Sequence, residues 1–159
     1  MDKGQTMAVD ILGEDTLKTN EKIIIKHSAT MALSPAYTFF IREMANLMDD
    51  GYAYKVTSWK DKNCGIVWGE VNDEIVGIFA YNTEDVQSQL MNIMLTAVAK
   101  EHRQKGVHTV LNRYYETVAK SLNCKFTCAT VNPNNKTRLI TAEKDGYKIG
   151  YYRMFKSIK

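Results

Sequence analysis

A chain of 159 residues, 45% hydrophobic and 25% charged, is long enough for one compact domain and too short for two comfortable ones. Its composition excludes wholesale disorder, and no apolar run approaches the ~18 residues of a membrane span. The net charge of +3 hides an asymmetry: residues 1–98 carry 8 Lys and Arg against 14 Asp and Glu, net −6, while residues 99–159 carry 13 against 4, net +9. A basic C-terminal part asks for an anionic ligand, with nucleic acid and a phosphorylated cofactor as the two candidates.

Residues 1–20 are polar apart from 7–12 and are expected to be a loosely ordered N-terminal segment, leaving residues 21–159 as a single domain. Residues 22–27 (KIIIKH) are β-branched and apolar and predict a strand. Ser34-Pro35 predicts a helix start, Ser as N-cap and Pro at the first helical position; Tyr37, Phe40, Ile41, Met44 and Met48 then form one stripe, stopped by Asp50-Gly51. A Tyr-rich stretch, residues 52–58, has no clear period. Cys64–Val71 and Glu74–Asn82, split by Asn72-Asp73, predict a β-hairpin. Residues 90–99 form a third apolar run of strand length. Val107, Val110, Leu111, Tyr114, Val118 and Leu122 predict a helix over 106–122. Residues 124–131 alternate and predict a strand, with Cys124 and Cys128 on one face as small core residues. A short helix follows from 134/135 to 145, with Gly146 as its stop. Residues 147–158 predict a closing aromatic strand. The order β, α, β, β, β, α, β, α, β implies an α/β (α+β) fold, a mixed and mostly antiparallel sheet flanked by helices.

The chemistry is concentrated after the third apolar run. There a strand gives way to a short basic loop, Lys100-Glu101-His102-Arg103-Gln104-Lys105-Gly106, and at once to an amphipathic helix. A helix N-terminus leaves backbone N–H groups unpaired and carries partial positive charge, so it favours phosphate. Gly106 permits close backbone approach. On spacing alone, phosphate binding and a plain strand-to-helix turn have equal weight.

Arg103-Gln104-Lys105-Gly106-Val107-His108 resembles the Arg/Gln-x-x-Gly-x-Gly/Ala loop of the GNAT (GCN5-related) N-acetyltransferases. Thr96-Ala97-Val98 before it, Val131 and Asn135 after it, and Gly146-Tyr147 ending the next helix fall at that family's spacing, and the element order is similar from residue 22 onward. The resemblance implies the GNAT fold and acetyl-CoA as co-substrate. Backbone groups of Thr96, Ala97 and Val98 would meet the pantetheine arm. Arg103, Gln104, Lys105, Gly106, Val107, His108 and Thr109 would surround the pyrophosphate, the amides from Gln104 to Thr109 holding it, and Asn135 would reach in from the following helix. The basic part would then answer the cofactor's phosphates and the acidic part would face an amine.

The sequence departs from the family at three positions. His108 replaces Gly or Ala, and is expected to turn outward or flank the phosphate. The family's Tyr seven residues after the Asn is Ala142, and the Glu that some members use as general base corresponds to Asn92. Tyr81, Glu70 and Tyr151, with Tyr152 beside it, are the remaining catalytic candidates, each with a structural reading as a sheet or turn residue. The three histidines and three cysteines lack zinc-site spacing, so no metal is expected. No P-loop and no G-x-S-x-G occurs. Tyr147, Tyr151, Tyr152 and Phe155 alternate with basic residues, which suits a closing strand better than a nucleic-acid strip, though the latter stays open.

The expected function is transfer of an acetyl group to a primary amine, on a small molecule or peptide, by direct attack in a ternary complex. The alternative is a non-catalytic acyl-CoA-sensing or nucleic-acid- or protein-binding module. Three cysteines without a disulfide framework, and a start (MDKGQTMAVD) unlike a signal peptide, suggest a reduced, cytoplasmic protein with no membrane partner. Family members are often dimers, so a homodimer fits.

Overall fold

The computed structural model describes residues 8–51, 63–83 and 89–150. Six strands form one sheet in the order β1-β2-β3-β4-β5-β6: β1 Asp10–Thr16, β2 Lys22–Ser28, β3 Cys64–Val71, β4 Glu74–Asn82, β5 Leu90–Val98 and β6 Phe126–Ala129. Every neighbouring pair is antiparallel except β5–β6, which is parallel. A parallel pair needs a long crossover, and helix α2, Val107–Ser121, supplies it. Helix α1, Tyr37–Asp49, precedes β3, and α3, Lys136–Lys144, follows β6. The mixed, mostly antiparallel sheet with flanking helices is the architecture that the element order implies.

The sheet separates two cores. On one face Val107, Val110, Leu111, Tyr115 and Val118 of α2 pack on Val67, Phe79, Tyr81, Met91 and Ile93. On the other, Phe39, Phe40 and Met44 of α1 pack on Ile66, Trp68, Ile78, Ala80 and Leu95. Strands β3 and β4 are therefore buried on both faces, and read as continuous apolar runs for that reason.

A bulge sits in the middle of β5. Ala80 pairs with Leu95 and Tyr81 with Ile93, so Met94 has no opposite number on β4. The extra residue switches faces: Met91 and Ile93 belong to the α2-side core, Leu95 to the α1-side core.

Several expectations need correction. Residues 10–16 are not a loose segment: they form β1, held to β2 and to α2 through Arg113 Nη2 to Asp15 Oδ2 at 2.6 Å and Tyr114 Oη to Glu14 O at 3.3 Å. Helix α1 starts at Tyr37, not Pro35. Ser34 caps nothing ahead of it; its Oγ and its N–H both return to Met31 O, closing a 3-10 turn over Met31–Leu33. Ile41 and Met48 are exposed, and Phe39 takes their place in the core. Cys124 precedes β6 and packs in the α2-side core, while Cys128 lies within the strand. Residues 147–150 are not strand, and the rest of the expected closing strand, like residues 52–58, lies outside the described residues. No described helix is long and apolar enough to cross a membrane.

Candidate active site

The site is built from the end of β5 outward. β6 pairs with β5 only over Leu90 to Ile93. Beyond that point β5 continues alone on this side, among the described residues. Ala99 N–H bonds Val76 O on β4 at 2.9 Å. An antiparallel ladder alternates its bonding direction residue by residue, so the N–H and C=O groups of Thr96 and Val98 face the open edge. Arg103 confirms this direction, because its Nε donates to Val98 O at 3.1 Å.

The loop then crosses the end of the sheet through a 3-10 turn, Lys100–His102, and reaches α2. Gly106 is the N-cap of α2, with φ of 93°, and no side chain caps the helix. Only glycine adopts this left-handed conformation without strain. The first-turn amides therefore stay available to an anion. Gln104 (φ 64°) and Thr109 are exposed, and Val107 is buried beneath the turn.

The β1–β2 turn braces this loop. Lys18 N–H donates to Lys105 O at 3.1 Å, and Lys105 Nζ lies 3.6 Å from Glu21 Oε2. A hydrogen bond from Thr19 holds the Glu21 carboxyl below its ordinary range, and Lys105 adds to the effect. The stem of Lys18 runs over Gly106.

The His108 ring packs between Phe79 of β4 and the C-terminal end of α3. Its Nε2 lies 2.8 Å from Asp145 Oδ2, at the C-terminal cap of α3, and its ring packs 5.1 Å from Phe79. The same Asp145 oxygen is 3.7 Å from Arg138 Nη1. Asn135 is the N-cap of α3, its Oδ1 accepting from Arg138 N–H at 3.0 Å. The sequence reading named neither Asp145 nor Arg138. The available signal was position: Arg138 is one turn beyond Asn135 on the same helix face, and Asp145 adjoins Gly146-Tyr147.

The structure brings Thr96, Ala97, Val98 and residues 103–109 together where β5 runs into α2, while the side-chain hydrogen bond given for Asn135 lies within α3. It does not bring the catalytic candidates together. Tyr81 is buried at the opposite end of the β3–β4 hairpin, its hydroxyl 2.7 Å from His27 Nε2, and burial pushes its pKa well above the ordinary tyrosine value. Glu70, near the hairpin turn, has both oxygens occupied, by Trp68 Nε1 at 2.7 Å and Lys26 Nζ at 2.6 Å. Tyr151 and Tyr152 lie outside the described residues. Asn92 accepts from Cys128 Sγ at 2.6 Å, and Ala142 is buried on the inner face of α3. No cluster of His, Cys, Asp or Glu that could hold a metal ion occurs among the described residues.

Solved structures share this architecture. An aminoglycoside acetyltransferase, meta-AAC0020, from an uncultured soil metagenomic sample in complex with sisomicin, is 11% identical, with 86% of this chain and 97% of that chain covered at a TM-score of 0.63. A ribosomal-protein-alanine N-acetyltransferase from Brucella melitensis biovar Abortus 2308 is 14% identical, with 86% and 99% covered at 0.64. The aminoglycoside acetyltransferase AAC(6')-Iy, in complex with a CoA bisubstrate analog, is 11% identical, with 86% and 98% covered at 0.62. No curated protein matches the sequence. The acetyltransferase (GNAT) family model matches residues 32–147, most of the chain, including the end of β5, the loop and the start of α2, and the chain belongs to that family.

Proposed function

We propose that this chain is an N-acetyltransferase that uses acetyl-CoA and passes the acetyl group to a primary amine by direct attack in a ternary complex. One observation carries the reading: the edge of β5, which no strand among the described residues pairs beyond Ile93, runs through the loop straight into a helix whose N-terminus is capped by a left-handed glycine and by no side chain. The residues fit the cofactor. Thr96 and Val98 offer main-chain groups to an extended amide-bearing arm, and the first turn of α2 offers amides to a diphosphate. Complexes of CoA or a CoA bisubstrate analog with a structural neighbour support the same class of donor.

Acetyl-CoA supplies an activated thioester; the protein's work is to align it with the amine. A thiolate departs without the help an alkoxide would need, so a buried Ala142 does not block the reaction. The Asn92 amide accepts no proton at neutral pH. The acceptor is proposed as a small-molecule or peptide amine, since the neighbours named above act on an aminoglycoside and on a ribosomal-protein alanine.

Acetyl-CoA at a hundred times its Kd raises the unfolding free energy by about 2.7 kcal/mol, which a thermal-shift measurement detects. Gly106→Glu abolishes that shift by repelling the diphosphate. It also adds about 1–3 kcal/mol of backbone strain, so its ligand-free melting temperature is measured alongside. No shift for the wild-type chain at millimolar acetyl-CoA overturns the reading. The engagement of Tyr81 by His27 and of Glu70 by Lys26 and Trp68 favours one rival, a non-catalytic acyl-CoA-binding module. Binding without turnover on a broad amine panel selects it.

A further inference from the structure

The sheet carries a row of neutral polar side chains away from the loop and α2. Cys64, Asn82, Asn92 and Cys128 stand opposite one another on β3, β4, β5 and β6, and directly paired residues share a face. That face is the α1 side: Cys64 packs in the α1-side core, Asn82 Nδ2 lies 3.6 Å from Cys64 Sγ, and Cys128 Sγ meets Asn92 Oδ1. Cys64 is buried, while Asn82, Asn92 and Cys128 are half-buried and reached by solvent. Asn92 Oδ1 is taken by Cys128, and Asn92 Nδ2 makes no hydrogen bond among the described residues. A carboxamide nitrogen has two N–H donors to place.

The row stands where the reaction would take place. An arm that starts at the first turn of α2 and runs back past Val98 and Thr96 has its acyl end where β6 closes on β5. That point is the Ile93–Ala129 rung, one residue from the Asn92–Cys128 rung. On the α2 side it is filled, because Ile93 and Ala129 pack in the core with Tyr115 and Tyr147. On the α1 side it is lined by an amide and a thiol. An amine arriving from the α1 side meets no carboxylate and no imidazole in this row. Two demands follow. The amine has to come largely neutral, and it has to carry a group that a neutral N–H donor can hold. At pH 7.5 about a third of an ordinary α-amine is neutral, against about one in a thousand of a lysine amine. The carbon beside a peptide α-amine also bears a carbonyl, which accepts from an N–H; the carbon beside a lysine amine bears only hydrogen.

We propose that the acceptor is the α-amine of a peptide, with the carbonyl of its first residue held by Asn92 Nδ2 on the α1-side face of the sheet. The inference rests on the acetyltransferase reading above. The neutral nitrogen attacks the thioester carbon. The N–C bond forms, the C–S bond breaks, and the electron pair leaves with the CoA sulfur. The proton shed by the nitrogen passes to that thiolate, so the products are the N-acetyl peptide and CoA thiol. Cys128 holds the Asn92 carboxamide with its nitrogen outward.

Release of CoA from acetyl-CoA is followed at pH 7.5 with four amines: alanyl-alanine amide, Nα-acetyl-lysine amide, sisomicin and benzylamine, the last with no carbonyl beside its amine. Wild type is expected to show a kcat/KM for alanyl-alanine amide at least tenfold above the other three. Asn92→Leu, of similar shape, lowers that kcat/KM about tenfold, mostly through KM. It leaves benzylamine turnover within twofold and the calorimetric Kd for acetyl-CoA unchanged. A wild-type preference for the lysine amide or for sisomicin overturns the proposal. So does an Asn92→Leu loss that is equal for alanyl-alanine amide and benzylamine, which marks a structural role. Unchanged kinetics, or weakened acetyl-CoA binding in Asn92→Leu, overturn it as well. Should Asn92→Leu fail to fold, the wild-type ranking and Asn92→Ala carry the same test. Acetyl-CoA binding with no turnover of any of the four amines is a different result, and removes the acetyltransferase reading together with this one.

Discussion

Asn135 has two tasks at one position. Its Oδ1 accepts the Arg138 N–H at 3.0 Å and starts α3, so only its Nδ2 can turn toward a cofactor. Two substitutions separate the tasks. Asn135→Ser keeps a capping oxygen and loses the amide; Asn135→Ala loses both. In urea unfolding, Asn135→Ala costs about 1 kcal/mol and Asn135→Ser only a few tenths. Acetyl-CoA affinity falls equally in both variants if Nδ2 holds the ligand, and wild-type affinity in Asn135→Ser removes that contact. The start of the helix was legible to within a residue, because its boundary signals are local. The pairing of His108 with Asp145 was not, since the partners are 37 positions apart and meet only because α2 and α3 converge. The sequence held a reason for His108 to turn outward or flank the loop, but not the carboxylate that receives it.

Among the elements, the approach of α2 to the sheet depends on Gly77. A methyl group there would lie 2.8 Å from Val107 Cγ1, 3.0 Å from Leu111 Cδ1 and 3.2 Å from Ala97 O. None of these can yield easily: both side chains are buried in the core and the third atom is backbone. Gly77→Ala is therefore expected to cost about 1–3 kcal/mol in urea unfolding. It also lifts the first turn of α2 from the end of β5, so acetyl-CoA affinity falls with it; unchanged stability would mean that the helix shifts freely. The β3–β4 hairpin was readable to the residue because its turn is self-contained: Asn72 and Asp73 adopt φ of 51° and 64°, as residues of their type tolerate. Strand β1 was unreadable for the opposite reason. DILGEDT shows little apolar alternation, and it becomes a strand by pairing with β2 and by receiving Tyr114 against Gly13. The start of α1 misled because Ser-Pro looks the same whether the serine caps forward or closes a turn behind it.

For the molecule as a whole, pH sensitivity is expected from one histidine. His27 Nε2 meets the Tyr81 hydroxyl at 2.7 Å, and Nδ1 lies 3.6 Å from Asp10. Burial lowers its pKa from the ordinary 6.5, with Asp10 opposing. The unfolded chain then binds the proton more readily than the folded one. The stabilising contribution is complete above about pH 6.5 and is lost as pH falls toward the lowered folded value. The urea midpoint of wild type accordingly drops between pH 7 and 5, and His27→Gln flattens that part of the profile. An identical drop in the variant would assign the effect to other groups.

Lys105 has a consequence for the order of assembly. Its carbonyl accepts from Lys18 and its ammonium faces Glu21, far back in the chain, while a few residues on, His108 waits for Asp145. The loop before α2 is thus braced by residues near both ends of the described chain. Contacts of such long sequence separation close late. During synthesis the loop gains its last brace only after α3 has emerged, so, on the function proposed above, a chain cut short before α3 binds acetyl-CoA more weakly than the whole chain.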